Sequence, residues 1–296
     1  MPSFVIKTLL MIVFLPLILV NSACSNTLNK MDHPNFTQIG EIKSKHIPEA
    51  SGLAYSTRTH DVFWTLNDSG HKAEIYALNK QGELIGTVKI KKIKNTDWED
   101  IASFKYDGKS YLLIADVGDN KAKRKRVTLH FIKEPKLEDL SKKKKLKEDL
   151  AWSTDFSYEG GPRDCESVGV DTANNKVLLL SKRTEPPMLY QLPLPNHPKK
   201  GKQIAKKIMD LDVFGRANPA DILNLKHIAF DGKPTAMDIS ADGKAAIVLT
   251  YLRAFYFHAP KATRSAEVFK VKPQVIELPY LEQAEAISFG KDKQTA

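Results

Sequence analysis

Cysteine is almost missing from this sequence. Only Cys24 and Cys165 occur in 296 residues, so no disulfide framework can staple the fold. With one thiol inside the body of the chain, Cys165 is expected to be a small residue on an inner strand rather than a nucleophile. Cysteine clusters and the H-E-x-x-H signature are both absent, which excludes the usual structural and catalytic zinc sites. The G-x-S-x-G elbow, the P-loop and the dinucleotide fingerprint are also missing. Ser69, in Asp68-Ser-Gly-His71, has no base placed beside it by sequence, which argues against a serine hydrolase. Beyond the N-terminus no segment keeps a helical period. The net charge of +10 comes largely from lysine runs such as Lys142–Lys145 and Lys199–Lys207. Those runs lack interleaved aromatic residues, so they read as solvated loops and no nucleic-acid partner is expected.

The one sustained apolar run is Leu9–Val20, twelve residues long, preceded by Lys7 and followed by Asn21-Ser-Ala-Cys24. A membrane-spanning helix needs about 20 apolar residues, so residues 1–24 read as an export signal. Cys24 directly after Ser-Ala resembles the lipobox of bacterial lipoproteins, although Asn21 stands where that box usually has Leu or Val. Lipidation of Cys24 is therefore expected, giving a membrane tether. By the same resemblance Ser25 favours the outer membrane, on the periplasmic side of the cell envelope. Residues 25–36 read as a linker and 37–296 as one domain.

Within that domain a pattern recurs five times: Glu49-Ala-Ser-Gly-Leu-Ala54, Asp97-Trp-Glu-Asp-Ile-Ala102, Asp164-Cys-Glu-Ser-Val-Gly169, Thr235-Ala-Met-Asp-Ile-Ser240 and Gln283-Ala-Glu-Ala-Ile-Ser288. Its third positions, Ser51, Glu99, Glu166, Met237 and Glu285, are 48, 67, 71 and 48 residues apart. A propeller blade takes about 40–50 residues, so the longer gaps imply insertions, placed at Lys133–Asp149 and Asn196–Pro234. Strand-length runs such as Val62–Leu66, Tyr111–Ala115, Lys176–Ser181 and Ala245–Thr250 follow the repeats. The expectation is an all-β propeller of about five blades, with six possible. Few residues follow Glu285, so the final blade should be incomplete, with Thr37–Lys43 available to help close it.

The ordered segments 49–53, 97–102, Ala-Asp-Val-Gly-Asp-Asn (115–120), 164–167, 238–243 and 285–287 resemble the bacterial phytase-like, esterase-like propeller family. The resemblance covers roughly residues 40–290. It implies a propeller and, more distantly, calcium-dependent lactonase, esterase or phytase chemistry.

Positions two apart on a strand share a face, so Asp97 with Glu99 and Asp164 with Glu166 should each aim two carboxylates at the central channel. Glu49 and Glu285 extend that ring. Crowded carboxylates repel unless protons or a cation neutralise them, and Ca²⁺ tolerates 6–8 oxygen ligands. Asp68 and Asp116, at the ends of the following strands, join Glu49, Glu99, Glu166 and Glu285 as expected metal ligands. Asp97, Asp164 and His71 are the catalytic candidates, His71 as proton shuttle. Lys182, Arg183, Tyr251 and Arg253, in the matching turns of blades three and four, suit an anionic ligand. The same residues also fit ordinary turn chemistry and blade-to-blade locking.

Two functions follow. The first is a tethered, non-catalytic module binding a protein, a glycan or an anionic small molecule. The alternative is a calcium-dependent phosphoesterase, lactonase or esterase.

Overall fold

The computed structural model describes residues 37–194, 202–215, 232–279, 281 and 283–290. The expected export signal, Cys24 and the expected linker lie outside the described residues. Within them the chain is a β-propeller. Blade one is β1 (Ala50–Tyr55), β2 (Val62–Asn67), β3 (Glu74–Asn79) and β4 (Leu84–Ile90). Blade two begins with β5 (Trp98–Tyr106), β6 (Lys109–Asp116) and β7 (Val127–Lys133). The lysine-rich insertion then sends β8 (Leu146–Glu148) back to pair in parallel with the outer edge of β4, before β9 (Trp152–Tyr158) completes blade two. Blade three is β10 (Cys165–Asp171), β11 (Lys176–Ser181), β12 (Met188–Pro193) and β13 (Gln203–Asp210). Blade four is β14 (Pro234–Ile239), β15 (Ala245–Thr250), β16 (Arg253–His258) and β17 (Gln274–Glu277).

The middle strands read as unbroken apolar runs because both of their faces are covered. On β6, Leu112 and Ile114 pack toward blade one, while Leu113 and Ala115 pack toward blade three. On β11, Val177 and Leu179 face blade two and Leu178 and Leu180 face blade four. The core is thus a set of apolar wedges between blades. The β5–β6 hairpin turns on Asp107-Gly108, both at positive φ (49° and 69°), the two-residue turn that matches the twist of its strands.

The fifth position of the ring holds, among the described residues, only the extended segment 283–290. It is threaded between β14 and β1: Thr235 Oγ1 donates to Ala284 O (2.6 Å), Gly52 N to Glu285 O (3.0 Å), and Tyr55 N to Ser288 Oγ (3.0 Å). Thr37–Lys43 forms no strand with it. That stretch lies along the β3–β4 turn, with Glu41 N bonded to Gln81 O at 3.0 Å and Ile42 packed in the wedge that also holds Ala286.

One expectation is corrected. The segment Asn196–Pro234 is not wholly an insertion, because it carries β13, the outer strand of blade three. Its lysines hid it: Gln203-Ile-Ala-Lys-Lys-Ile-Met-Asp210 has one side open to water, where Ile204 is 44% exposed, while Ala205 is fully buried. β13 also pairs in parallel with β9, so blades two and three form one continuous eight-stranded sheet.

Candidate functional site

At one mouth of the ring each of the four complete blades carries a β-bulge near the start of its inner strand. The register slips between Ser51 and Leu53, Trp98 and Asp100, Cys165 and Ser167, and Pro234 and Ala236. In blades two and three the extra residue is an acid, Glu99 and Glu166. A bulge re-aims a side chain and recurs beside functional sites. The paired acids therefore share a direction through a break in the strand rather than through unbroken alternation.

Two groups of carboxylates meet there: Asp68 with Asp97 and Glu99, and Glu99 with Asp164 and Glu166. Within each group one oxygen from every residue lies within 4.8 Å of the others. Glu99 belongs to both and is 5% exposed, yet among the described residues no donor hydrogen-bonds its carboxylate. Burial, then the Glu166, Asp68 and Asp97 carboxylates, push Glu99 well above the usual carboxylate range. Burial and Asp68 likewise raise Asp97. Burial pushes Glu166 up to about 7 against the pull of the Lys182 ammonium.

Neighbouring residues fix this arrangement. Asn95 Nδ2 donates to the carbonyls of Asn67 (3.0 Å) and Asp68 (2.8 Å), while its Oδ1 accepts from Trp98 N (3.1 Å), so the Asp68 turn is lashed to the start of β5. Asp119 N donates to Asp164 Oδ1 at 2.9 Å, tying the blade-two turn to blade three. Gly118 sits against the acids, and a Cβ there would lie 2.6 Å from Asp97 Oδ2 and overlap Glu99 Oε1. Any larger residue there would push both carboxylate ends aside. Neither Asn95 nor Gly118 stands out in the sequence alone, although Gly118 lies inside the 115–120 segment.

The bases are engaged by the acids. Lys182, 3% exposed, is bonded to Glu166 and, at 3.0 Å, to the Tyr251 hydroxyl, which donates to Glu285 Oε1 at 3.2 Å. Burial depresses Lys182, but Glu166 and Tyr251 outweigh it and hold the ammonium above its ordinary value. Arg183 bridges Asp164 (2.6 Å) and Asn120. His71 lies 3.1 Å from Glu49, both half-buried at the rim.

The structure therefore brings together Asp68, Asp97, Glu99, Asp164 and Glu166, with Lys182, Arg183, Tyr251 and Glu285 beside them. It does not bring Glu49 or Asp116 into either group. Asp116 is turned to Arg124 (2.6 Å) and Thr96 N (3.3 Å). Arg253 is also elsewhere, reaching Gly215 O at 2.7 Å and lying over the Phe255 ring. Cys165 is fully buried, and burial lifts its thiol to about 12, which removes it as a nucleophile near neutral pH.

Below the mouth the axis is plugged. Asp100 Oδ2 accepts from Val168 N of β10 (2.8 Å) and Met237 N of β14 (3.4 Å), Oδ1 accepts from Ile101 N (2.8 Å), and Gly52 of β1 abuts the same carboxyl. Asp238 repeats the device toward the closing segment, accepting from Phe289 N (2.9 Å) and Ser288 Oγ (3.2 Å).

A family model described as SdiA-regulated matches residues 36–248, which takes in the first three blades and reaches into β15 of the fourth. No curated protein matches the chain.

Proposed function

The chain belongs to the SdiA-regulated family, and from that premise and the geometry of the mouth we propose that it is an exported, tethered propeller that binds a divalent cation, Ca²⁺ by fit, and through it captures an anionic ligand without turning it over. The observation that carries this reading is Glu99: a buried carboxylate with no bonded donor among the described residues, facing four more carboxylates. The donor set is all oxygen, as Ca²⁺ prefers. With ligands about 2.4 Å from a cation, oxygens up to about 4.8 Å apart can share one ion, and in each group one oxygen from every residue lies within 4.8 Å of the others. Gly118 supports the same reading, since it keeps the space between the acids open. When bound, the cation would supply positive charge to attract an anion. Lys182 and Arg183, already paired with Glu166 and Asp164, would hold the ligand carboxylates in place rather than meet the captured anion.

The melting temperature of the purified protein in EDTA and across a Ca²⁺ titration tests this. A saturable rise is expected, because a ligand that binds only the native state stabilises it. Glu99→Gln and Gly118→Ala should each weaken the apparent affinity by at least about tenfold, or about 1.4 kcal/mol. A wild-type curve that stays flat through millimolar Ca²⁺ would overturn the proposal.

A calcium-dependent phosphoesterase, lactonase or esterase is the second reading, and Asp97 favours it. Its part-exposed carboxyl, held above the usual range at the lip of the cluster, is placed to take a proton from an attacking water. Turnover of such substrates that vanished in Asp97→Asn while Ca²⁺ still raised the melting temperature would establish catalysis.

The tether rests on the leader and Cys24. Mass spectrometry of the mature chain should show a diacylated N-terminal cysteine. In Cys24→Ser the protein should leave the membrane fraction, and retention there would contradict the anchor.

A further inference from the structure

A row of bonded polar groups joins the acidic mouth to the closing segment 283–290. Glu166 of blade three is bonded to the Lys182 ammonium, which donates to the Tyr251 hydroxyl of blade four at 3.0 Å. That hydroxyl donates to Glu285 Oε1 at 3.2 Å, and Gln283 Nε2 donates to the same oxygen at 3.1 Å. The backbone of Glu285 carries the row on into blade one, its carbonyl accepting from Gly52 N at 3.0 Å. Glu166, Lys182 and Tyr251 are all buried, so water has little access to replace a link.

Tyr251 is the hinge of this row because a phenol can give one proton and accept another. It gives its proton to Glu285 and takes one from Lys182, whose ammonium also lies 5.0 Å from the ring centroid. Where Lys182 points therefore depends on where Tyr251 stands, and where Glu166 points depends on Lys182. Both ends of the row are sensitive to small shifts. At the mouth, Glu166 shares its group with Glu99 and Asp164, and carboxylates so close repel one another unless a positive charge intervenes. At the other end, 283–290 belongs to no strand ladder among the described residues. A segment held by individual bonds opens locally more readily than a strand inside a ladder.

Resting on the cation reading above, we propose that Tyr251 is a positioning residue of the cation site and couples that site to closure of the ring. A cation held by Glu99 and Glu166 fixes Glu166, and through it Lys182 and Tyr251, where Glu285 meets them. Occupation of the mouth thus holds 283–290 in place. The docked segment in turn steadies Glu166 and raises the affinity for the cation. The two effects are one coupling free energy and must match in size.

Hydrogen exchange of the purified protein in EDTA and in saturating Ca²⁺ tests it, with calorimetry on the same samples to read calcium binding itself. The variant is Tyr251→Phe, which keeps the ring and removes the hydroxyl. In the wild type, Ca²⁺ should slow exchange across 283–290 at least about fivefold at short labelling times, where local opening is read. In Tyr251→Phe the segment should exchange alike with and without calcium, and Ca²⁺ should bind at least about fivefold more weakly. Gly118→Ala, which weakens binding from the side of Asp97 and Glu99, should recover the protection once calcium is saturating, a rescue that Tyr251→Phe should not show. Protection that persisted in Tyr251→Phe would overturn the proposal. So would wild-type exchange unmoved by calcium that calorimetry shows to be bound. No calcium binding in the wild type would overturn the cation reading along with it.

Discussion

Asp100→Ala is expected to lose roughly 3–5 kcal/mol of folding stability, a large part of what a domain holds in total. The carboxyl takes hydrogen bonds from three backbone amides on three inner strands, and it is 1% exposed. Alanine leaves those N–H groups without an acceptor, and each buried orphan costs about 1–3 kcal/mol. Water cannot readily replace the carboxyl at a sealed axis. An asparagine side chain would keep the size but exchange one acceptor oxygen for an NH₂ that faces other donors, so Asp100→Asn should fall between wild type and alanine. Urea unfolding in EDTA reads both variants. A loss below about 1 kcal/mol for alanine would show that the inner strands are held by the wedges between blades rather than by their shared carboxyl.

The second large effect is a reversal of pH dependence by calcium. In EDTA, Glu166 titrates at about 7 in the folded protein against an ordinary 4.5. Between these values the folded chain binds more protons than the unfolded one, so stability falls as pH rises. The contribution is fully present below about 4.5 and gone above about 7. Glu99 and Asp97 are raised as well and act in the same sense. The shift at Glu166 alone corresponds to a few kcal/mol. Bound Ca²⁺ needs the ionised carboxylates, so its affinity should climb with pH over the same window. Urea unfolding at pH 5 and pH 7.5 should therefore show the EDTA-treated protein weaker at the higher pH and the calcium-loaded protein stronger there. Parallel trends with and without calcium would mean that the cation does not touch these acids.

What was legible in the sequence followed from local rules. The apolar runs of β6, β11 and β15 announce strands covered on both faces, and Asp107-Gly108 announces its hairpin. The recurring acids at positions 97, 99, 164 and 166 announce a mouth. What stayed hidden depends on pairings between distant residues. Nothing local tells that β13 joins β9 in parallel, or that β8 returns to blade one. Tyr251 and Arg253 look equivalent in one turn, yet Arg253 begins β16 and reaches Gly215 O, while Tyr251 reaches Lys182. The plug did leave a trace. The fourth repeat position reads Gly52, Asp100, Ser167, Asp238 and Ala286, with two acids among small residues. A narrow axis has room for only so much side chain, and those two positions hold the groups that tie neighbouring strands.

The parallel seam between β9 and β13 changes what counts as a unit of this molecule. Repeat proteins whose modules touch only their neighbours can lose one module while the next survives. Here a single hydrogen-bond ladder runs from the axis through blade two, across the rim and back to the axis through blade three. Those two modules share their cooperativity, so damage to the outer strand of either is felt by both of the inner strands that carry Glu99 and Glu166.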